Sequence, residues 1–209
     1  MKICGVRDEA TAWAAIDAGA DAVGFVFHPQ SPRFIEPASA WEIVQRLPPF
    51  VTTVGLTVDL TPEAFESIQR QCPTDYAQLH GGEPPETVSA CGPRLIRAIR
   101  FNARTIADDL ARWSALEAVD AVLVDGSAGG EGQAFDWDAL GRVRARSTKP
   151  VILAGGLTPA NVGRAIATVR PFAVDVSSGV EIERGVKDAG LIRDLCDAVR
   201  DADRALNSG

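Results

Sequence analysis

The sequence has few of the residues that build disulfide frameworks and metal sites. Of its 209 residues, four are cysteine and two are histidine. Cys4, Cys72, Cys91 and Cys196 are far apart and form no Cys-x-x-Cys pair, and the histidines show no metal-ligand spacing with them. Isolated cysteines are typical of reduced thiols in cytosolic proteins. We therefore expect a cytoplasmic protein with no metal and no disulfide framework.

Positive charge and long apolar runs are also scarce. Lysine and arginine number 21 against 28 acidic residues, which gives a net charge of −7. This balance argues against nucleic-acid binding, which needs basic side chains concentrated on one face. No apolar stretch approaches the ~20 residues of a membrane span, and the first residues lack the apolar core of a signal peptide. These features favour a small-molecule partner, with no nucleic acid and no membrane.

Eight short apolar segments alternate with amphipathic segments along the chain. The predicted strands are Lys2–Cys4, Ala22–Phe27, Thr53–Val58, Tyr76–Leu79, Leu95–Ile99, Ala121–Val124, Val151–Leu153 and Ala173–Val176. The predicted helices are Glu9–Asp17, Ala38–Arg46, Pro62–Gln71, Pro85–Ala90, Thr105–Trp113, Trp137–Arg146, Pro159–Val169 and Gly190–Arg204. Eight such units of about 26 residues predict an α/β fold, a (β/α)8 TIM barrel, as one domain over residues 1–209. A doubly wound open sheet is the competing fold, but no Gly-x-Gly-x-x-Gly follows the first strand.

Three of the predicted helices begin with recognisable caps. Thr61 and Thr158 each place a hydroxyl before a proline, the residue best suited to the first helical position. Asp136 precedes Trp137, and we expect it to cap that helix while the tryptophan packs against the core.

The loops after strands seven and eight are predicted to bind phosphate. In a (β/α)8 barrel the functional groups lie at the carboxyl ends of the strands, and phosphate sites commonly follow these two. Gly155 and Gly156 follow strand seven, and Ser177, Ser178 and Gly179 follow strand eight. Small residues let backbone N–H groups approach an anion. Tight packing would explain either loop alone, but both loops together favour a phosphate site.

Two strand ends carry groups suited to proton transfer. Cys4 ends the first strand, and Asp125 follows four apolar residues at the end of the sixth. A carboxyl group in such a place needs partners. The alternatives are an inert buried thiol at Cys4 and a loop cap at Asp125. Because strands one and six lie on opposite sides of a barrel mouth, the two groups could flank one substrate.

Arg33 and His80 are further candidates for substrate binding. Arg33 lies between two prolines and a phenylalanine in the loop after strand two, where a guanidinium could hold a carboxylate through two hydrogen bonds. A solvated surface arginine is the alternative. His80 follows strand four, where it could line the site or satisfy backbone groups.

Taken together, the motifs resemble those of the phosphoribosylanthranilate isomerase family, in order and over essentially the whole chain. The motifs are Lys2-Ile3-Cys4-Gly5, Gly24-Phe25-Val26-Phe27, Ser31-Pro32-Arg33, Gln78-Leu79-His80-Gly81, Phe135-Asp136-Trp137, Leu153-Ala154-Gly155-Gly156-Leu157 and Asp175-Val176-Ser177-Ser178-Gly179-Val180-Glu181. The resemblance implies a (β/α)8 barrel of tryptophan biosynthesis. It implies an Amadori rearrangement of N-(5-phosphoribosyl)anthranilate, a phosphosugar, without any cofactor.

The resemblance also implies a role for each candidate residue. Cys4 corresponds to the general base of the family and Asp125 to its general acid, so Asp125 must hold a proton and Cys4 must become a thiolate. Arg33 corresponds to the residue that contacts anthranilate, and Asp175 lies near the sugar hydroxyls. The Gly155-Gly156 and Ser177–Gly179 loops correspond to the phosphate loops.

The chain departs from the family pattern in two places. The loop over residues 127–133 reads Ser-Ala-Gly-Gly-Glu-Gly-Gln, which leaves its contacts with substrate open. Strand three has Thr57 and Asp59 where phenylalanine and asparagine are common, but neither is a proposed proton-transfer group.

Two other functions remain open at the level of sequence. The related isomerase of histidine biosynthesis runs the same rearrangement on another phosphoribosyl substrate, but that family has aspartate at the first strand end and a second phosphate site after strand three. A phosphate-binding barrel without catalysis is the second alternative. For assembly the sequence favours a monomer and leaves a homodimer open.

Overall fold

The computed structural model describes residues 1–126 and 135–207, and eight parallel strands form a closed barrel in the order β1 to β8. The strands are β1 (Lys2–Cys4), β2 (Ala22–Val26), β3 (Thr52–Thr57), β4 (Tyr76–Leu79), β5 (Leu95–Arg100), β6 (Val119–Asp125), β7 (Val151–Leu153) and β8 (Ala173–Val176). The helices are α1 (Glu9–Asp17), α2 (Pro37–Val44), α3 (Pro62–Gln71), α4 (Pro85–Cys91), α5 (Ile106–Ser114), α6 (Trp137–Val143), α7 (Val162–Val169) and α8 (Ala189–Asn207). The predicted (β/α)8 barrel is confirmed.

Alternation along the strands divides the core into two regions. Successive strand residues point to opposite faces of a sheet. The larger region lies between the barrel and the helices and includes Ile3 and Val23. The smaller region fills the barrel with residues such as Val54, Leu123 and Ile152. Because every strand has both faces covered, the strands read as nearly continuous apolar runs.

The barrel closes where β8 pairs with β1, the first and last strands of the ring. Lys2 is the register partner of Asp175, and Ile3 that of Val176. On the other side of β1, Cys4 pairs with Gly24 of β2. Two charged residues, Lys2 and Asp175, thereby enter the barrel side by side, each at most 7% exposed.

Two of the three predicted caps are confirmed, and the third is wrong. The Thr61 hydroxyl accepts a hydrogen bond from Ala64 N at 3.3 Å, and Asp136 accepts one from Ala139 N at 2.8 Å. Thr158 does not cap α7, which begins three residues beyond Pro159. Its backbone N–H instead donates to the Asn161 side chain at 2.8 Å. The residues before α7 form a turn because Asn161 satisfies this N–H group from within the loop.

A short hairpin after β8 was not predicted. Its antiparallel strands are β9 (Glu181–Glu183) and β10 (Val186–Lys187), and Gly185 supplies the positive φ of +88° that the turn requires. Strands of three and two residues are too short to show alternation in the sequence. Within the part of the chain that is described, no helix is long and apolar enough to span a membrane.

Candidate active site

A cavity of about 300 Å³ opens at the carboxyl ends of the barrel strands. Nine of the ten predicted site residues line it: Cys4, Arg33, His80, Asp125, Gly155, Gly156, Asp175, Ser177 and Ser178. The tenth, Gly179, lies beside it and packs against the backbone carbonyl of Leu157. Concave pockets at this end of the barrel are where the ligands of such folds bind.

Cys4 lies at the end of β1 with 4% of its surface exposed. A Cβ on Gly24, its register partner, would lie 3.0 Å from its Sγ and 3.1 Å from Lys2 Nζ, so the glycine makes room for both side chains. Burial raises the pKa of the Cys4 thiol and nearby Asp175 raises it further, whereas the charge of Lys2 lowers it. The net effect is a raised pKa, so Cys4 rests as a thiol with an ammonium group beside it.

Lys2 is the centre of a buried polar cluster on the barrel interior. Its Nζ donates to Asp175 Oδ1 at 2.8 Å and to Gln78 Oε1 at 3.0 Å. Burial opposes the charge of Lys2, but Asp175 and Cys4 more than offset this, and its pKa is raised. We assigned no role to Lys2 or Gln78 from the sequence. The available signal was their spacing, because each lies two residues before a predicted site residue and so shares its face of the strand.

Asp125 and His80 both line the cavity, and their side chains lie close together. Asp125 ends β6 and is 5% exposed, and its Oδ2 lies 3.6 Å from Nε2 of His80. The other ring nitrogen of His80 lies 3.0 Å from Nε2 of Gln78. The His80 ring therefore lines the site and contacts the side chains of Gln78 and Asp125. This favours the first of the two interpretations of the sequence, a residue that lines the site, over one that satisfies backbone groups.

The loop after β7 is shaped by two glycines with positive φ. Gly155 has a φ of +83° and Gly156 of +66°. A Cβ on Gly155 would meet Gly126 N and lie 2.7 Å from Asp125 Oδ1. The Gly156 carbonyl accepts a hydrogen bond from Asn161 Nδ2 at 2.8 Å. Glycine is required at position 155 because the sixth and seventh strand ends approach so closely.

Arg33 is buried at 5% exposure, which rules out the solvated surface position. Its Nε lies 2.7 Å from Oε1 of Glu181, and its Nη2 lies 2.9 Å from Oε2. Lys187 Nζ donates to the same carboxylate at 2.6 Å and to Ser177 Oγ at 3.0 Å. Burial raises the pKa of Glu181, but hydrogen bonds from Arg33 and Lys187 outweigh it and lower that pKa to about 2. A substrate carboxylate would have to share the guanidinium with Glu181.

The charged residues of the hairpin are the main omission of the sequence analysis. Glu181 and Lys187 hold Arg33 and the loop after β8, and Arg184 lines the cavity. Among residues 1–126 and 135–207, no group of three His, Cys, Asp or Glu side chains is arranged to hold a metal. The loop over residues 127–133 lies outside the described residues.

Comparison with known proteins gives one consistent match. A family model described as N-(5'phosphoribosyl)anthranilate (PRA) isomerase matches residues 1–198. The N-(5'-phosphoribosyl)anthranilate isomerase of Magnetococcus marinus is 48% identical over 206 residues, which cover 97% of this chain and 95% of the relative.

Solved structures agree with the family model. Phosphoribosyl anthranilate isomerase from Thermus thermophilus superimposes with a TM-score of 0.87 at 37% identity, covering 96% of this chain and 98% of its own. A second structure of the enzyme, in complex with reduced 1-(o-carboxyphenylamino)-1-deoxyribulose 5-phosphate, gives 0.86 at 37% identity, covering 96% and 97%. A third contains monomers generated from the dimeric enzyme of Thermotoga maritima, with a TM-score of 0.83 at 36% identity, covering 96% and 97%. The chain therefore belongs to the N-(5'-phosphoribosyl)anthranilate isomerase family.

Proposed function

We propose that this protein converts N-(5'-phosphoribosyl)anthranilate to 1-(2-carboxyphenylamino)-1-deoxyribulose 5-phosphate, an Amadori rearrangement of tryptophan biosynthesis. The observation that carries the proposal is the shared cavity: a thiol and a carboxyl group, from β1 and β6, line it together with the small-residue loops after β7 and β8. The family membership and the neighbour that binds a reduced product support the same reaction.

In this proposal Asp125 and Cys4 carry out the proton transfers. Asp125 gives a proton to the furanose ring oxygen as the bond from that oxygen to C1' breaks and a Schiff base forms. Cys4, as the thiolate, then removes the proton from C2', and the electron pair of that C–H bond forms the enolamine. The enolamine then takes up a proton at C1' and loses the proton of its C2' hydroxyl group, which gives the ketone product. Each acid or base of this kind contributes roughly 10²–10⁴-fold to the rate.

The raised pKa of the Cys4 thiol sets a condition on this mechanism. A thiolate in a buried site needs a positive partner. Lys2 is placed to supply one, because its Nζ and the Cys4 Sγ lie 3.1 Å and 3.0 Å from the same point, the position of a Cβ on Gly24. Protonated Lys2 would hold the thiolate while its own charge stays balanced by Asp175 at 2.8 Å.

Substrate binding is assigned to the remaining residues. The backbone of Gly155-Gly156 and of Ser177–Gly179 is proposed to hold the phosphate, and Asp175 a sugar hydroxyl. His80 lies beside Asp125, with its Nε2 3.6 Å from Asp125 Oδ2. Arg33 is proposed to contact the anthranilate carboxylate while it keeps its hydrogen bonds to Glu181.

The experiment that tests the function follows the loss of phosphoribosylanthranilate fluorescence on addition of the purified protein. We expect turnover by the native chain and a loss of kcat of about 10²-fold or more in Cys4→Ser and in Asp125→Asn. Cys91→Ala and Asp120→Asn are matched controls. Cys91 is a buried thiol outside the cavity, and Asp120 lies on the same strand as Asp125.

Near-normal kcat in either site variant would remove that residue from the mechanism, and no turnover by the native chain would reject the function. The formimino substrate of the histidine pathway serves as a parallel assay. Turnover of that substrate alone would favour the related isomerase.

We further propose that the chain acts as a single-domain monomer in the cytoplasm. All the residues named in the mechanism come from one chain, so a second copy is not needed for chemistry. The four cysteines are buried free thiols, which suits a reducing compartment. Sedimentation equilibrium measures the assembly. A dimer whose activity per chain falls on dilution would contradict the monomer.

A further inference from the structure

Four side chains form one continuous line of hydrogen bonds across the floor of the cavity. Asp175 Oδ1 accepts from Lys2 Nζ at 2.8 Å, and Lys2 Nζ also donates to Gln78 Oε1 at 3.0 Å. Gln78 Nε2 lies 3.0 Å from Nδ1 of His80. Lys2 and Gln78 are each at most 5% exposed, so water does not compete with these contacts.

The chemistry of the donors gives this line a fixed direction. A lysine ammonium can only donate, so the group of Gln78 that faces Lys2 must be the carbonyl oxygen. The amide NH₂ of Gln78 then points to His80, and an amide nitrogen is also only a donor. The Nδ1 atom of His80 must therefore be the acceptor, which leaves the ring proton on Nε2.

We propose that Lys2 and Gln78 are positioning residues that hold His80 as the neutral imidazole with its proton on Nε2, directed at Asp125. The orientation of a glutamine side-chain amide is assigned from its hydrogen-bond partners. For Gln78 one partner is the Lys2 ammonium group, which can donate a hydrogen bond and cannot accept one. Gln78 has no other role in the proposed mechanism, and Lys2 has only its effect on Cys4.

The charges around the ring are consistent with a neutral His80. Burial lowers its pKa, and Lys2 and Arg97 lower it further, whereas Asp125 and Asp175 raise it. The net pKa is lowered. Protonation of Nδ1 would also place a ring hydrogen against the hydrogens of the Gln78 amide, which removes the hydrogen bond between them.

The consequence for catalysis rests on the proposed function. When Asp125 gives up its proton, a carboxylate appears in a buried site and needs a donor. His80 Nε2–H lies 3.6 Å from Asp125 Oδ2, which is slightly beyond hydrogen-bond length. Such contacts often shorten when substrate binds. With the proton on Nδ1 instead, Nε2 would compete for the proton that Asp125 must deliver.

The ring nitrogens can be observed directly by NMR. The chain has two histidines, so ¹⁵N-histidine labelling gives two sets of ring signals, and His28→Asn identifies those of His80. At neutral pH we expect a protonated Nε2 and a bare Nδ1. A protonated Nδ1, or an imidazolium, in the native protein would overturn the proposal without the need for any further variant.

Gln78→Glu tests the source of the constraint. A carboxylate in place of the amide accepts from Lys2 and from Nδ1–H, so we expect the His80 proton to move to Nδ1 or the ring to become charged. Gln45→Glu adds the same charge at an exposed position and should leave the His80 spectrum unchanged. An unchanged spectrum in Gln78→Glu would show that Gln78 does not set the tautomer.

Activity separates this proposal from the proposed function. If both hold, Gln78→Glu lowers kcat by about 10-fold or more, with a smaller change in KM. If the native chain has no isomerase activity, the function fails while the NMR result still decides the tautomer. Native kcat in Gln78→Glu with a shifted tautomer would contradict the catalytic role of the N–H group.

Discussion

Arg33 and Glu181 form a two-point ion pair with nitrogen–oxygen distances of 2.7 Å and 2.9 Å, and each side chain is at most 6% exposed. The pair joins the loop after β2 to the hairpin after β8. Lys187 approaches the same carboxylate at 2.6 Å and extends the link to Ser177. Arg33 therefore positions the loop after β8 as well as lining the cavity.

Replacing Arg33 with alanine should affect both binding and stability. We expect KM to rise about tenfold or more, since a hydrogen bond to a charged group contributes roughly 1.5–3 kcal/mol. We expect a loss of about 3 kcal/mol in the free energy of unfolding, at the lower end for a broken buried pair because Lys187 remains. Steady-state kinetics and urea unfolding measure the two effects. Arg46→Ala, which breaks an exposed pair with Glu9, should leave the free energy of unfolding nearly unchanged. An unchanged KM in a folded Arg33→Ala protein would reject the contact with anthranilate.

Glu181 should make stability depend on pH in the acid range. Its pKa is about 2 in the folded protein against the ordinary 4.5. A carboxylate with a lowered pKa stabilises the fold above its unfolded value, and this contribution is lost as the pH falls from about 4.5 towards 2. The shift corresponds to a free energy on the order of 3 kcal/mol.

We therefore expect Glu181→Gln to be less stable than the native chain at pH 7, with the difference closing near pH 2. Urea unfolding across this range measures it. Glu66→Gln removes an exposed carboxylate from α3 and should leave the pH profile unchanged. A constant difference between Glu181→Gln and the native chain would contradict the lowered pKa.

Gly155 should not tolerate a side chain. An alanine there would be strained at a φ of +83° and would press on Gly126 N and Asp125 Oδ1. We expect Gly155→Ala to lose about 1–3 kcal/mol of stability and most of its kcat, because Asp125 is displaced. Gly163→Ala in α7 is the matched control, since its Cβ would meet only Ala202 at 3.9 Å. That variant should be neutral or slightly stabilising. Native kinetics in Gly155→Ala would show that the approach to Asp125 is unimportant.

The reactivity of Cys4 should report its environment. Because burial raises the pKa of the Cys4 thiol, its alkylation by iodoacetamide should rise with pH along a curve centred above the ~8.5 of a free cysteine. Lys2→Met should move the curve higher, since the Lys2 charge lowers the pKa of this thiol. Lys149→Met changes a lysine outside the cavity and should have no effect. Peptide mass spectrometry separates Cys4 from the other thiols. A midpoint below that of free cysteine would contradict the raised pKa.

The sequence predicted the barrel, and it predicted the carboxyl ends of the strands to within one residue. Both depend on local patterns of apolar and polar residues. Apolar runs of three to six residues, followed by capped helices, define the units. Cys4, Asp125 and the glycines at 155 and 156 follow directly from where the runs stop. Two loops at the expected places then predict a shared cavity without knowledge of any side-chain contact.

The partners of these residues could not be predicted in the same way. Glu181 and Arg33 are separated by 148 positions, and nothing local to either marks the pair. The hairpin strands are too short for alternation to show. The hydrogen bond from the Thr158 N–H group to the Asn161 side chain replaces the cap that Thr158 and Pro159 favoured. A proline fixes its own φ, but it does not determine which group a neighbouring N–H bonds to.

The join between β1 and β8 makes activity a measure of completed folding. Lys2 meets Asp175 at 2.8 Å across 173 positions of the chain, and Cys4 shares that seam through the hydrogen bond from Ser177 Oγ to its carbonyl oxygen at 3.0 Å. A chain that has formed seven strands would contain helices and much of its apolar packing. The residues around Cys4 would not yet be assembled, because they depend on the pairing of β1 with β8. During refolding, therefore, turnover should return only with the last and most non-local strand pairing, after the recovery of helical circular dichroism.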